Sequence, residues 1–292
     1  RLEGCEPPGC RRRNFRKKGE GYAMNIRLMS HNVWGMFAPD VVKEVANRCE
    51  LMADVYEEYR PDVIGMQEFS EDIRSHGLPE LLEPHYRELD VSADVKAYGM
   101  ENLYTPIFYR QDVCEPVDAG FVLYDRAYNN HDSKGVTWAV FRSLQSGRLF
   151  TVCNTHYWWK SGPEHDRARV GNSEVILSLK QKLPAPFFVM GDLNCRVESE
   201  AYRTLLEGGL CDAQSAAPDT MDCNTHHAYP EYDRERQVFF GAPKPSGGYR
   251  NSIDHILLDA AHADAERRFL VVTTDEACNT SDHCPIFTDA EF

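Results

Sequence analysis

Phe187-Phe188-Val189-Met190 runs directly into Gly191-Asp192-Leu193-Asn194. A short apolar run bounded by Pro184, Pro186 and Gly191 reads as a buried strand rather than a helix. Gly191 permits a sharp turn, so Asp192 and Asn194 emerge together where the strand ends. Residues two apart in extended chain share one side. That pairs a carboxylate, able to accept a proton or hold a metal, with an amide able to donate to a phosphate oxygen. An Asx-type turn would explain the pair taken alone. A carboxylate at the edge of a buried strand is nevertheless costly without a partner or a task.

The arrangement recurs. Ile26-Arg27-Leu28-Met29 leads into Ser30-His31-Asn32, and Val63-Ile64-Gly65-Met66 into Gln67-Glu68. Phe150-Thr151-Val152-Cys153 leads into Asn154-Thr155-His156. Asn251-Ser252-Ile253 delivers Asp254, and Asn279-Thr280-Ser281 sets Asp282-His283 before the apolar Cys284-Pro285-Ile286-Phe287. Strand ends gathered on one edge of a sheet make a single pocket.

Helical spacing lies between these segments. Val41 to Tyr56 reads as an amphipathic helix stopped near Arg60-Pro61. Arg167 to Lys180 follows the same pattern, as does Tyr202 to Leu206, which halts at Gly208-Gly209. Gly135 to Phe141 and Leu149 to Val152 read as a hairpin across Gln145-Ser146-Gly147. These pieces imply a mixed sheet with helices outside. Ala216 to Gly248, rich in Asp, Pro, His and Gly, reads as a loop over the site. The expected division is a basic, disordered leader over residues 1–23 and one catalytic domain over 24–292.

The chain of 292 residues, 42% hydrophobic and 27% charged, suits a soluble globular protein. Its net charge of −14 is uneven: residues 1–23 hold seven Arg or Lys against three Glu, or +4, leaving −18 on the rest. So acidic a body disfavours tight, sequence-independent binding to duplex nucleic acid, though a metal could still make a cleft locally positive. No apolar run approaches the roughly 18 residues of a membrane-spanning helix, and no signal-peptide core is present. The ten cysteines include no CxxC pair and no zinc-like spacing. They are read as reduced thiols of a cytoplasmic protein, with Cys195 a bystander.

Placed in one pocket, Asn32, Glu68, His156, Asp192, Asn194, Asp254, Asp282 and His283 meet the demands of phosphoester hydrolysis. Hard divalent cations such as Mg²⁺ take carboxylate and amide oxygens, for which Glu68 and Asn32 are suited, with Asp282 close by. Histidines steered by carboxylates serve proton transfer, and Asn194 can donate to a phosphate.

With these residues in order, the chain resembles the endonuclease/exonuclease/phosphatase superfamily, whose fold is that of pancreatic deoxyribonuclease. The matching segments are Ser30-His31-Asn32, Pro61 to Glu68, Asn154-Thr155-His156, Gly191-Asp192-Leu193-Asn194, Ile253-Asp254-His255-Ile256 and Ser281-Asp282-His283. Each is weak alone; the ordered set is specific. The resemblance implies an α/β (α+β) fold, a four-layer sandwich of two mixed sheets face to face with helices outside. It implies Glu68 as the main Mg²⁺ ligand, Asn32 in support and Asp282 as a second carboxylate, with Mn²⁺ a substitute. Asp192 would orient or deprotonate the attacking water, and Asn194 would bind the phosphate. His283, held by Asp254, would contact the scissile phosphate or move a proton, with His156 as second histidine of the acid–base pair. Which group is the base stays open.

The implied activity is a Mg²⁺-dependent phosphoester hydrolase, of phosphodiesterase, nuclease or phosphatase type. Its substrate would be a nucleic acid, nucleotide, phospholipid or sugar or inositol phosphate. The alternative is an inactive relative serving as a phosphate-ligand or protein binding module. A monomer without a membrane span is expected. In many relatives a Glu partners the histidine placed like His156; here Glu101 is the nearest candidate and reads as a loop residue, with Leu103 closer to the expected place. Tyr157-Trp158-Trp159 could stack a base, shape a rim or pack in the core. Arg167 and Arg169 could reach a phosphate or stay solvated. His226-His227 reads as a surface pair. Lys134-Gly135 resembles a feature of neutral sphingomyelinases and is too short to carry weight.

Overall fold

The run at 187–190 lacks polar alternation because both faces of this strand are covered, as in strands buried between layers. Phe188 and Met190 point into the space between two sheets, while Phe187 and Val189 point outward under helices. Leu28 and Met29 divide likewise between an inner and an outer core. Burying each such side chain stabilises the fold by about 1.5–3 kcal/mol.

The computed structural model describes residues 23–35, 45–129, 132–233, 235–236 and 238–292. Most of the leader expected over 1–23, and the start of the helix expected from Val41, lie outside the described residues. The strands are β1 (Asn25–Asn32), β2 (Val63–Gln67), β3 (Tyr86–Glu88), β4 (Ile107–Arg110) and β5 (Cys114–Leu123). They continue as β6 (Gly135–Ser143), β7 (Leu149–His156), β8 (Phe187–Asp192), β9 (Leu210–Asp212) and β10 (Asp219–Thr220). The last are β11 (Glu231–Asp233), β12 (Val238–Phe240), β13 (Asp254–Asp259), β14 (Glu266–Val271) and β15 (Ile286–Glu291).

One sheet has seven strands in the order β10-β14-β15-β1-β2-β4-β3, and the other has six in the order β5-β6-β7-β8-β13-β9. The helix Val45–Tyr59 covers the first sheet with Met52, Val55 and Tyr56. Helices Pro163–Lys180 and Glu200–Glu207 cover the second with Ile176, Tyr202 and Leu205. The result is the expected four-layer α/β sandwich. The 135–152 hairpin is β6 and β7, paired antiparallel from Val136 opposite Thr155 to Arg142 opposite Leu149.

Topology gathers the polar ends. β1 runs parallel to β2, and β7 parallel to β8, so their C-terminal ends share an edge. β13 runs antiparallel to β8 and β15 antiparallel to β1, so their first residues meet that edge. This corrects one expectation: Asn251 to Ile253 is not the strand that delivers Asp254. Tyr249–Asn251 is a 3-10 turn, and Asp254 opens β13. The segment 216–248 is largely irregular, as expected, apart from β10 and the small β11–β12 pair.

The Asn154 side chain fixes the two sheets against each other, and Gly191 fits β8 closely against β7. Asn154 on β7 donates through Nδ2 to Met66 O (2.7 Å) and Pro106 O (2.8 Å), and its Oδ1 accepts from Gln67 Nε2 at 2.6 Å. Gln67 Nε2 also reaches Ser30 Oγ at 3.1 Å. Gly65 makes room for this bridge, since a Cβ there would lie 2.7 Å from Asn154 Cγ and 2.6 Å from Met190 Cε. Gly191 has φ of +151°, and a Cβ on it would fall 1.9 Å from Thr155 O. No side chain fits there.

Candidate active site

Asp192 stands at the centre of the edge. Its Oδ1 accepts from the Asn194 backbone N–H (2.8 Å) and its Oδ2 from Asn32 Nδ2 (3.0 Å). His156 Nε2 lies 3.4 Å from Asp192 Oδ2 and 4.0 Å from Glu68 Oε1. Asn32 Nδ2 also faces Glu68 Oε1 at 3.4 Å. Asn194 donates through Nδ2 to Tyr157 O at 3.0 Å and sits 3.2 Å from His156 Nε2. Glu68 and Asn194 have φ of +58° and +47°, a conformation uncommon outside glycine and tolerated best by Asn and Asp. Such strain clusters where a side chain must be aimed.

Asp254 lies opposite Asp192 in the β8–β13 register. His283 Nδ1 is 2.9 and 3.1 Å from the two Asp254 carboxylate oxygens, and Thr225 Oγ1 donates to Asp254 Oδ2 at 2.6 Å. Asp192, Asp254 and His283 bring one polar atom each within 4.8 Å of the others. The Ser281 hydroxyl donates to Asn32 O at 2.7 Å and accepts from the His283 N–H at 3.1 Å, tying the turn before β15 to the end of β1. Asp282 interacts electrostatically with His283, Asp192 and Asp254. The structure thus brings the eight predicted site residues to one place. His31, between Ser30 and Asn32, instead points inward to the Tyr56 hydroxyl at 2.7 Å, and burial holds its pKa near 3.

Burial and then the charge of Lys134 push the His156 pKa down, against the pull of Asp192 and Glu68. Burial would also lower His283, but the charges of Asp254 and Asp282 raise it well above the ordinary histidine value. Burial would raise Asp192, yet the hydrogen bond from His156 and the charges of His156, His283 and Lys134 hold its carboxyl well below the usual range. Near neutral pH the site therefore holds a neutral His156, an ionised Asp192 and a charged His283.

Lys134, set aside in the sequence as part of too short a motif, lies against His156. It is buried, its Nζ lies 2.7 Å from His156 Nε2 and 3.0 Å from Nδ1, and burial lowers its pKa to about 8. A signal existed, because the 135–152 hairpin carries Lys134 toward His156. Glu101, the expected candidate partner, is exposed in a loop, while Leu103 is buried. Sequence reasoning missed Arg48. Its buried guanidinium donates to Val33 O (2.9 Å), Thr280 O (2.8 Å) and Trp34 O (3.1 Å), joining the loops that follow Asn32 and precede Asp282.

Other residues resolve as scaffold. Arg169 is buried and holds Trp158 O (2.6 Å) and Lys160 O (2.8 Å). Trp158 is buried and Trp159 is 57% exposed. Burial raises the Cys195 thiol to about 11, so it is not an activated nucleophile. The expected surface pair His226-His227 is instead half-buried: His226 bridges to His283, and the His227 N–H donates to Asp282 O at 2.8 Å. No helix among the described residues is long and apolar enough to cross a membrane.

The Endonuclease/Exonuclease/phosphatase family model matches residues 29–283. None of the curated proteins compared with the chain matches it. Among solved structures, an endonuclease/exonuclease/phosphatase family protein from Bacteroides thetaiotaomicron superposes with a TM-score of 0.73 at 21% identity, over 93% of this chain and 99% of the other. A mannosyl-6-phosphatase from the same species gives 0.72 at 20% identity, over 91% and 99%. TDP2 of D. rerio, complexed with single strand DNA product, gives 0.66 at 18%, over 91% and 98%. At these identities the likeness establishes the fold; the sequence match, spanning most of the length, establishes descent. The chain belongs to the endonuclease/exonuclease/phosphatase family, whose members are generally hydrolases of phosphoester bonds and typically use a divalent metal.

Proposed function

We propose that the domain over 24–292 is a cytoplasmic phosphoester hydrolase working with Mg²⁺, or Mn²⁺ in its place. The observation that carries this reading is the convergence on Asp192 of Asn32, His156, Asn194 and the Asp254–His283 pair, with Glu68 alongside.

The donors suit a hard cation. Glu68 is less enclosed than Asp192 and Asp254, with 19% of its side chain exposed against 2% and 3%. Burial and the neighbouring carboxylates Asp192 and Asp254 raise the Asp282 pKa, the mark of acids crowded beyond what the local cations offset. Glu68, Asn32 and Asp282 would hold the ion, which when bound neutralises phosphate charge and makes water a better nucleophile.

The protein's own groups supply the rest. Ionised Asp192 orients the attacking water and accepts its proton. Asn194 donates its amide to a phosphate oxygen, and Lys134 beside neutral His156 adds positive charge on that flank. His283, kept cationic by Asp254, donates to a phosphate oxygen or protonates the leaving group. Two neighbours of the fold, a mannosyl-6-phosphatase and a protein complexed with a DNA product, support a phosphoester substrate. A nucleic acid, nucleotide, phospholipid or sugar phosphate all present the same group to this pocket. Purified protein should hydrolyse a nitrophenyl phosphodiester, or one member of a panel of those substrates, in a chelator-sensitive way. Unchanged turnover in Glu68→Ala or Asp192→Ala would overturn the reading.

A further inference from the structure

Behind the turn that carries Asp282 and His283 lies a second cluster of polarisable groups. Cys278 Sγ and Cys284 Sγ are buried and 3.7 Å apart. One atom each from His227, Cys278 and Cys284 lies within 4.8 Å of the other two. His227 Nδ1 is 2.7 Å from Ala228 O. A carbonyl only accepts, so Nδ1 carries a proton, and in the neutral ring Nε2 keeps its lone pair. That Nε2 is buried, meets no oxygen or nitrogen partner among the described residues, and has the Cys278 thiol as a polar neighbour. An imidazole held by a backbone carbonyl at one nitrogen, with its other lone pair among sulfurs, is the usual posture of a metal-ligating histidine. Cys223 borders the same hydrophobic core and interacts with the charges of Cys278 and Cys284, its sulfur lying outside the 4.8 Å group.

We propose that His227, Cys278 and Cys284 bind a single Zn²⁺ ion at a site distinct from the acidic pocket, drawing in Cys223 as the fourth ligand. Thiolates and a neutral imidazole select zinc over Mg²⁺, and tetrahedral sites of three sulfurs and one nitrogen are closed, structural ones. Binding displaces the thiol protons to solvent. A Cys278–Cys284 disulfide is the competing fate of this pair. It would need the sulfurs at about 2.05 Å, and it would leave His227 Nε2 unsatisfied. The ion would brace the pocket from behind. The Cys284 N–H donates to Thr225 O at 2.7 Å and the His227 N–H to Asp282 O at 2.8 Å, so ligands on both segments lock 223–227 against 278–284. Thr225 in that locked segment holds Asp254, the partner of His283.

The test uses the full chain, stripped of metal by a chelator under reducing conditions and titrated with Co²⁺. A thiolate-to-cobalt charge-transfer band should appear and be abolished by Zn²⁺. Acidic-pocket binding cannot produce that band, so Glu68→Ala should retain it whatever the pocket does. Cys278→Ser and His227→Ala should each weaken metal affinity at least about tenfold. The wild-type spectrum decides the matter without relying on any variant's folding. No thiolate band, a band unchanged in Cys278→Ser, or a Cys278–Cys284 disulfide in the reduced preparation would overturn the proposal.

Discussion

His156 and His283 flank the same carboxylate and are similarly enclosed, at 1% and 8% exposed, yet their pKa values move in opposite directions. Burial pushes both toward neutrality. On the β7 side the neighbour is Lys134, which adds to that push. On the β15 side the neighbours are Asp254 and Asp282, which reverse it. Partner charge, not depth, therefore sets protonation. Asp192 is held between a neutral and a charged histidine, two environments that push their pKa values apart.

Removing the shared member should have the largest effect. Asp192→Asn is expected to lower kcat by about 10²–10⁴-fold, with circular dichroism unchanged; a loss under about tenfold would place the chemistry elsewhere. Next comes the acidic flank. Asp254→Asn strands a buried imidazolium and should cost about 3–5 kcal/mol in urea denaturation at pH 6. A raised histidine pKa adds stability in full below the ordinary value near 6.5 and loses it as pH climbs through the folded value. The deficit of Asp254→Asn must therefore shrink on going alkaline, and a gap independent of pH would break the assignment.

On the basic flank, Lys134→Met should move the His156 titration, followed by NMR of its ring protons, up toward the ordinary histidine range. A lowered histidine pKa means that stability is lost as pH falls from the ordinary value through the folded one. The variant should accordingly be less sensitive to mild acid than the wild type, whereas an unmoved His156 midpoint would deny Lys134 its influence. The smallest effect should come from Thr225→Val. It removes one hydroxyl donor to Asp254 and is expected to destabilise by about 1 kcal/mol without reversing the charge of His283.

Sequence reading recovered what periodicity and strand termination encode. The double-faced strand at 187–190, the 135–152 hairpin and the helix Pro163–Lys180 were legible because their apolar residues report burial directly. The polar strand ends were legible because buried carboxylates and amides demand a purpose. Asp254 was mislaid on the wrong side of its strand, since Asn251-Ser252-Ile253 carries no mark separating a 3-10 turn from extended chain. Lys134-Gly135 was given no weight because a dipeptide is too short a motif, and the hairpin register is what sets the lysine beside His156. His227, Cys278 and Cys284 escaped notice because ligand spacing along a chain cannot reveal groups drawn together by the pairing of 225–227 with 282–284.

The bridge from Asn154 to Gln67, Met66 O and Pro106 O makes the relative slide of the two sheets an all-or-none matter. Glu68 and Asn32 ride on one sheet and His156 and Asp192 on the other, so a slip of one residue, about 3.3 Å, would dismantle the pocket. The chemistry is thus indexed by the interior rather than by the surface loops. Those loops can be rewritten for a new substrate while the reaction they serve stays in alignment.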